Sequence, residues 1–160
     1  MPSGSIGELY FRRAGAAEVN PYVGAPAPRR RAGGFTTFGD LGWLDEHGYV
    51  YLSDRRTDMI VTGGVNVYPA EVEAALLDHA AVADVAVIGL PDDEWGRRVH
   101  AVLEPAPGHP LPADDELVAL CRARLSRQKV PKAFEWVDAL PRDQAGKLRR
   151  SALADERIDS

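Results

Sequence analysis

The chain has 160 residues, of which 45% are hydrophobic and 27% are charged, a composition typical of a core-forming globular protein. Its formal net charge of −5 provides no basic field that would favour a nucleic-acid partner. The single cysteine, Cys121, excludes an internal disulfide and fits a reducing compartment. No apolar run approaches the ~18 residues of a membrane-spanning helix. The first residues also lack the pattern of a signal peptide, so we expect a cytoplasmic protein without a transmembrane segment.

The N-terminal third predicts β structure interrupted by a loop. The stretch "GELYFRR" (7–13) has the composition of a strand. Residues 14–34 are rich in Ala, Pro, Gly and Arg and show no periodicity, so we expect a long loop that includes a solvated arginine run at 29–31. Residues 34–56 then indicate strands joined by turns, with "DEHG" as turn chemistry.

After residue 56 the pattern predicts a small α+β layer fold. "DMIVTGGVNVYP" indicates two short strands around a Gly-Gly turn, and Pro69 can open a helix at its first position. A loop is expected over 91–98, and a second helix begins with Asp114. Strands are predicted by three apolar runs, at 82–90, 99–105 and 133–137. The predicted fold class is therefore α+β, with a short antiparallel sheet flanked by helices and preceded by β strands.

Three polar clusters lie outside the predicted core. Asp40 stands between glycines in "FGDLG", Arg55 precedes the Gly-Gly turn in "SDRRTDMIVTGG", and Lys147 lies in "PRDQAGKLRR". Taken singly, each cluster has an ordinary structural explanation. The first could be a turn aspartate that bonds its own backbone, the second a plain hairpin turn and the third a basic terminal helix. Composition and periodicity alone therefore indicate no more than a small α+β domain.

Taken in order, the three clusters resemble the C-terminal part of the adenylate-forming acyl-CoA synthetase family. The stretch "GFTTFGDLGWLDEHGYVYLSDRRTDMIVTGGVNVYPAEVEAAL" is similar to that family's aspartate motif, hinge motif and glycine loop in unbroken succession. The resemblance continues through "VADVAVIGLPDDEWGRRV" and ends with "KVPK…LPRDQAGKLRR". It covers nearly the whole chain, from about Gly7 to Ala154.

The resemblance implies a role for each matching residue. Asp40 matches the aspartate that binds the ribose hydroxyls of ATP, and Arg55 matches an arginine that also contacts the nucleotide. Gly63 and Gly64 match the loop that lines the pantetheine tunnel of CoA. Lys147 matches the lysine that bridges the carboxylate substrate and the α-phosphate during adenylation.

A lysine suits that role because a carboxylate attacking an α-phosphorus joins two anions and concentrates charge on the phosphoryl oxygens. A cation placed there stabilises the transition state more than the ground state. The lysine must leave before CoA enters, and the resemblance implies that the small domain rotates between the two half-reactions, about a hinge at Thr57. A flexible terminal segment would suit a residue with this task.

Three positions depart from the family pattern. Phe38 stands where threonine is usual before the glycine and Asp40, which removes a hydroxyl near the phosphates. Thr57 replaces the usual Asp or Lys of the hinge, and Ala145 replaces a common threonine near Lys147. The Phe-Gly-Asp and Trp-Gly sequences resemble members that act on bulky acids, such as steroid or bile-acid side chains and branched fatty acids.

The resemblance also implies that these 160 residues match only part of the family's fold. Residues 1–54 match the last strands of a large N-terminal adenylation domain, and residues 55–160 match the mobile C-terminal domain. The family's phosphate loop and acyl pocket would lie in that large domain, on the same or a separate chain. We therefore expect a fragment of an acid–CoA ligase that uses ATP, Mg²⁺ and CoA but binds none of them tightly by itself. It should not complete adenylation alone, and no metal-ligand set is expected in it.

Two other functions stay open at this point. A related enzyme could pass the adenylate to the phosphopantetheine of a carrier protein instead of to CoA. A module without catalysis could bind only a nucleotide or a partner chain, although such a module would have no need of Lys147. The identity of the acid and the oligomeric state are not encoded in any of these motifs.

Overall fold

The computed structural model of the chain describes residues 5–12 and 28–159, except for the side chains of residues 53 and 54. The chain divides into two compact units, residues 1–57 (unit 1) and residues 58–160 (unit 2). Of the described residues in the predicted strand 7–13, Gly7–Glu8 form a strand and Phe11 makes an isolated bridge to Thr36, so the strand is shorter than expected. Residue 13 and most of the predicted loop 14–34 lie outside the described residues. Among the described residues, no helix is both long enough and apolar enough to cross a membrane.

The described residues of unit 1 form five strands, joined by turns and loops, and no helix. The strands are β1 (Gly7–Glu8), β2 (Arg29–Arg31), β3 (Phe35–Thr37), β4 (Asp40–Leu44) and β5 (Val50–Arg55). One sheet has the order β1-β4-β5, and β2 pairs with β3 in a separate antiparallel hairpin. The expectation of a loop at residues 29–31 is wrong, because backbone pairing with β3 and an ion pair from Arg29 to Glu8 hold these residues extended.

The β4–β5 hairpin has the predicted turn between its strands. The carboxylate of Asp45 accepts hydrogen bonds from the amides of His47, at 2.9 Å, and Tyr49, at 2.8 Å. The rings of Trp43 and Tyr51 stack across the strands with centroids 4.2 Å apart. Between Leu41 and Gly42 the register shifts by a bulge, and a Cβ on Gly42 would lie 2.2 Å from the carbonyl oxygen of Tyr51. The glycine is therefore required at this bulge.

Unit 2 has the predicted order of strands and helices as far as residue 136, and a third helix that the predicted order did not include follows near its end. Its elements are β6 (Ile60–Thr62), β7 (Val65–Val67), α1 (Pro69–Leu76), β8 (Val82–Asp92), β9 (Gly96–Pro105), α2 (Asp114–Arg122), a 3-10 turn (Arg127–Lys129), β10 (Ala133–Trp136) and α3 (Arg150–Ile158). The predicted α+β class is confirmed. The central sheet has the order β10-β9-β8, in which β8 and β9 are antiparallel and β10 joins parallel to β9. The loop expected over 91–98 is shorter, because β8 and β9 extend into it until only residues 93–95 connect them.

The central sheet of unit 2 is covered on both faces. Val85 and Val87 of β8 pack in a cluster with residues of α1 and α2, whereas Ala86 and Ile88 pack in a second cluster with Leu153 of α3. Alternate side chains of one strand therefore enter two different cores. This explains why residues 82–90 form a continuous apolar run instead of an alternating one.

The thiol of Cys121 should be unreactive in the folded protein. Cys121 lies on α2 with no exposed surface, and burial raises the pKa of its thiol to about 11. Because the thiolate is the reactive form, we expect a native thiol to react with a disulfide reagent at neutral pH at least ~100-fold more slowly than in denaturant. Equal rates in buffer and in denaturant would show that α2 does not pack as described.

A pH-dependent ion pair joins β10 to α3. Arg157 binds both carboxylate oxygens of Glu135, at 2.6 and 2.7 Å, and His100 lies 3.0 Å from the same carboxylate. These hydrogen bonds, with that from Arg157 as the largest effect, lower the pKa of Glu135. The stabilisation is therefore present above the unfolded-state pKa near ~4.3 and is lost as the pH falls through the lower folded pKa.

We expect Glu135→Gln to lower the free energy of unfolding by about 1 kcal/mol at pH 7, since the Glu135 side chain is 37% exposed and solvent screens the pair. Once the pH falls below the lowered folded-state pKa of Glu135, the variant and the parent should converge, because the parent carboxylate is then protonated too. Urea denaturation at several pH values measures this difference. A difference that stays constant down to that pH would mean that the ionised pair is not its source.

Candidate functional site

Asp40 and Arg55 are brought together in unit 1. They pair across β4 and β5, and the Nε of Arg55 lies 3.9 Å from Oδ1 of Asp40. The Arg55 side chain is 64% exposed and that of Asp40 is 33% exposed, so both can contact a further molecule. A carboxylate beside a guanidinium presents acceptors for hydroxyls next to donors for phosphate or ribose oxygens.

The turn before Asp40 is held by hydrogen bonds within unit 1. Gly39 has a φ of +86°, which favours glycine, and its amide donates to Oγ1 of Thr37 at 3.0 Å. The carbonyl of Gly39 accepts from the amide of Arg56 at 2.8 Å. Phe38 is 42% exposed. The backbone that places Asp40 is therefore tied to the residue that follows Arg55.

Thr57 lies at the boundary between the two units. The preceding residue, Arg56, is hydrogen-bonded within unit 1 through its amide, and the following residue, Asp58, accepts a hydrogen bond within unit 2 from Arg150 at 3.5 Å. The predicted hinge residue therefore lies between a residue that is hydrogen-bonded within unit 1 and a residue that is hydrogen-bonded within unit 2.

Gly63 and Gly64 form the turn between β6 and β7, with φ values of +54° and +80°. The amide of Gly63 donates to the carbonyl of Trp95 at 3.0 Å, and a Cβ on Gly63 would lie 2.5 Å from the indole ring. A Cβ on Gly64 would meet no atom within 4 Å. Gly63 is thus explained by packing on Trp95, whereas Gly64 presents an open backbone to the surroundings.

Lys147 is exposed and ends a turn that begins at Asp143. The carboxylate of Asp143 accepts hydrogen bonds at 2.9 Å from the amides of Ala145 and Lys147, and Gly146 has a φ of +74°. The bond from the Lys147 amide is the largest of the effects that lower the pKa of Asp143. The backbone of Lys147 is therefore held while its side chain extends into solvent.

The Lys147 turn and the Gly63–Gly64 turn are anchored at opposite ends of β8. Arg142, which precedes the first turn, binds the carboxylate of Asp84 through two hydrogen bonds of 2.8 and 2.9 Å. The second turn bonds to Trp95, whose own amide donates to Asp92 at 2.9 Å. At ~3.3 Å per residue, the strand from Asp84 to Asp92 spans about 26 Å.

Three residues of the candidate sites were missed by reasoning from the sequence. Trp95 packs on the glycine turn, Asp143 holds the Lys147 turn, and Arg150 binds Glu73 at 2.8 Å. Asp143 had a signal, because an aspartate four residues before a lysine and three before a glycine suits an Asx turn. Among the residues that the structure describes, no three or more His, Cys, Asp or Glu side chains are grouped as metal ligands.

Comparison with known proteins identifies relatives of the chain. The family model described as "AMP-binding enzyme C-terminal domain" matches residues 71–147. The 2-succinylbenzoate–CoA ligase of Bacillus velezensis is 50% identical over 120 residues, which are 75% of this chain and 24% of that protein. The fatty acid–[acyl-carrier-protein] ligase ScoC of Streptomyces coeruleorubidus is 38% identical over 97% of this chain and 30% of its own length.

A solved structure shares the fold as well. The o-succinylbenzoate CoA synthetase of Bacillus subtilis, in complex with its acyl-adenylate intermediate, has a TM-score of 0.80 and is 37% identical over 96% of this chain. The match covers 31% of that protein, so the chain spans less than a third of the length of these relatives. The resemblance to adenylate-forming acyl-CoA synthetases is thereby confirmed. Residues 71–147 match the AMP-binding enzyme C-terminal domain, and the chain as a whole is similar to the corresponding part of these ligases.

Proposed function

We propose that the chain supplies the C-terminal part of an ATP-dependent carboxylic acid–CoA ligase. Residues 1–54 would end a large N-terminal adenylation domain, and residues 55–160 would form the mobile domain. The alignment covers 24% of the 2-succinylbenzoate–CoA ligase of Bacillus velezensis. This supports the need for a further domain, on the same or a separate chain. That domain would hold the acid.

The exposed surface of unit 1 supports this domain assignment. The β4–β5 hairpin exposes large apolar side chains: Leu44 at 47%, Tyr49 at 68%, Val50 at 47% and Leu52 at 71%. Adjacent apolar residues on one hairpin are typical of a surface that packs against another domain. The strands at the end of an adenylation domain would be covered by the rest of that domain.

The nucleotide would bind at Asp40 and Arg55. The Asp40 carboxylate can accept the two ribose hydroxyls of ATP, and the Arg55 guanidinium can donate to ribose or phosphate oxygens. Their pairing across β4 and β5 supports this assignment, since one nucleotide could contact both. Mg²⁺ would accompany the phosphates of ATP, whose oxygens are ligands that it commonly takes in such sites.

In the first half-reaction, a carboxylate oxygen of the acid attacks the α-phosphorus of ATP, and pyrophosphate leaves with the electrons of the broken P–O bond. Lys147 would contact the phosphoryl oxygens on which negative charge develops. Its long side chain extends from a turn whose backbone is held by Asp143. A charge placed by a fixed backbone needs little reorganisation when the reaction occurs.

In the second half-reaction, the thiolate of CoA attacks the acyl carbon and AMP leaves. The pantetheine would pass Gly63 and Gly64, and Gly64 has the open space that such a passage needs. The observation that supports the scheme best is that this turn and Lys147 are anchored at opposite ends of β8. One small domain with its two functional turns so far apart can serve a single reaction centre only by rotating, and the boundary at Thr57 is the place for a hinge.

A carrier protein is the second candidate for the acceptor. One relative is named as a fatty acid–[acyl-carrier-protein] ligase and aligns with nearly the whole chain, so this domain is compatible with that acceptor too. Both acceptors would deliver a phosphopantetheine thiol along the same turn. A module without catalysis is disfavoured, since a binding module would not need Lys147.

The proposal is tested with a hybrid enzyme. In it, the 120 residues of this chain that align with the 2-succinylbenzoate–CoA ligase of Bacillus velezensis replace the corresponding quarter of that enzyme, whose remaining part supplies the large domain. We expect the chain alone to release no pyrophosphate from ATP and acid, and the hybrid to release it and then form a thioester with CoA. Acid-dependent pyrophosphate release by the isolated chain would contradict the proposal that adenylation needs the large domain. A folded hybrid that forms no adenylate would contradict the proposed function.

A further inference from the structure

We propose that Arg150 is a positioning residue that ties the turn bearing Lys147 to the start of unit 2. The inference rests on the proposed role of Lys147. Arg150 follows that lysine by three residues, and its guanidinium reaches two acidic side chains distant in sequence, Glu73 and Asp58. One side chain thereby connects the proposed catalytic turn with the residue next to the proposed hinge, Thr57.

The contacts of Arg150 are close and largely shielded from solvent. Its Nη2 lies 2.8 Å from both carboxylate oxygens of Glu73, its Nε lies 3.3 Å from one of them, and its Nη1 lies 3.5 Å from Asp58. The exposed fractions of the three side chains are 22%, 13% and 26%. Charge-assisted hydrogen bonds of this kind are stronger than neutral ones and fix a direction as well as a distance.

Glu73 connects Arg150 to the rigid core of unit 2. It extends from α1, and its Oε1 also accepts a hydrogen bond from the amide of Val87 in the middle of β8 at 2.9 Å. The neighbouring strand β9 pairs with the other edge of β8. The anchor of Arg150 is therefore a carboxylate held by a helix and by the central sheet together.

At its position, Arg150 should destabilise its own helix, which indicates that this residue is placed there for another reason. It is the first residue of α3, and Arg149 precedes it as the N-cap without any side-chain capping bond. Positive charge at the N-terminus of a helix opposes the helix dipole, and acidic residues are favoured there. The ion pairs with Glu73 and Asp58 compensate for that placement.

The geometry also explains how a flexible lysine can act from a defined place. The Asp143 carboxylate holds the turn on one side of Lys147, and Arg150 holds the chain on the other side, at most about 10 Å away along an extended backbone. The same Arg150 holds Asp58, so rotation of the backbone would be confined to residues before Asp58. Unit 2 and Lys147 would then move as one body.

The test compares two arginines of α3 in the 160-residue chain. Arg150→Met removes the anchor, and Arg157→Met removes the equally close ion pair with Glu135 at the other end of the helix. We expect Arg150→Met to speed hydrogen exchange of the amides of Gly146 and Lys147 about tenfold, as for a locally released turn, and Arg157→Met to change it less than twofold. If Arg150→Met does not fold, Glu73→Gln takes its place, because the amide oxygen can still accept from Val87.

A kinetic measurement on the hybrid enzyme separates positioning from simple stability. Arg150→Met should lower kcat for pyrophosphate release about tenfold and leave KM for ATP within twofold, since the nucleotide contacts lie in unit 1. Arg150→Lys, which keeps the charge but loses the planar fork, should recover part of kcat. Equal exchange rates or equal kcat in the Arg150 and Arg157 variants would overturn the inference. A Lys147→Ala hybrid as active as its parent would instead overturn the proposed role of Lys147, and the catalytic part of the inference with it.

Discussion

Replacing Lys147 by alanine in the hybrid enzyme should lower the rate of acid-dependent pyrophosphate release by about 10²–10³-fold, the range found when one electrostatic stabiliser of a transition state is lost. The expected loss is in kcat, because the charge on the phosphoryl oxygens grows only as the acid attacks. KM for ATP should change little, since the nucleotide contacts proposed here belong to Asp40 and Arg55. Quenched-flow measurement of pyrophosphate checks this.

The control for that variant is Arg122→Ala. Arg122 is an exposed cation at the end of α2 and takes no part in the proposed site. Its loss should leave the rate within about twofold, as is usual for surface charges. If Lys147→Ala behaves like Arg122→Ala, the proposed catalytic role of Lys147 is wrong. The Asp143 turn would then be only a structural feature.

Replacing Gly63 by alanine should destabilise unit 2 by about 2–4 kcal/mol. An added Cβ would lie 2.5 Å from the indole ring of Trp95, and overpacking of this kind costs ~1–3 kcal/mol. The φ of +54° adds the cost of about 1 kcal/mol for a residue with a Cβ in the left-handed region. Urea denaturation of the 160-residue chain measures the sum.

Gly64 provides the matched comparison within the same turn. Its φ of +80° imposes a similar backbone cost, but an added Cβ would meet no atom within 4 Å. We therefore expect Gly64→Ala to cost only about 1 kcal/mol. If both variants lose the same stability, the contact between Gly63 and Trp95 is not the source of the difference. The functional effect of Gly64→Ala should lie in the thioester step instead.

Local signals explain why most of unit 2 could be predicted from the sequence. Pro69 marks the first residue of α1, and the glycine pair marks the turn between β6 and β7. The apolar run at 82–90 predicts a strand because both of its faces are buried. Each of these signals lies within a few residues of the feature that it predicts.

Features that depend on distant partners could not be predicted. The arginine run 29–31 forms a strand because it pairs with β3, and β10 joins the sheet parallel to β9 through a long connection. Arg150 binds Glu73, which is 77 residues away in the sequence, and nothing in the local sequence indicates that pair. Trp95 likewise packs on a glycine turn that lies in another hairpin. Pairing and packing between separate segments decide these positions, not local propensity.

The proposed scheme assigns the two half-reactions to opposite ends of one small domain, and it is tested most directly by measuring both half-reactions in the same two variants of the hybrid enzyme. Lys147→Ala should lose adenylation by about 10²-fold or more but still form thioester from supplied acyl-adenylate and CoA at nearly the parent rate. Gly64→Ala should release pyrophosphate normally and lose thioester formation by about tenfold or more, because its new methyl group would stand in the path of the thiol. If both variants slow both half-reactions equally, the two turns do not serve separate steps, and the account of a rotating domain is contradicted.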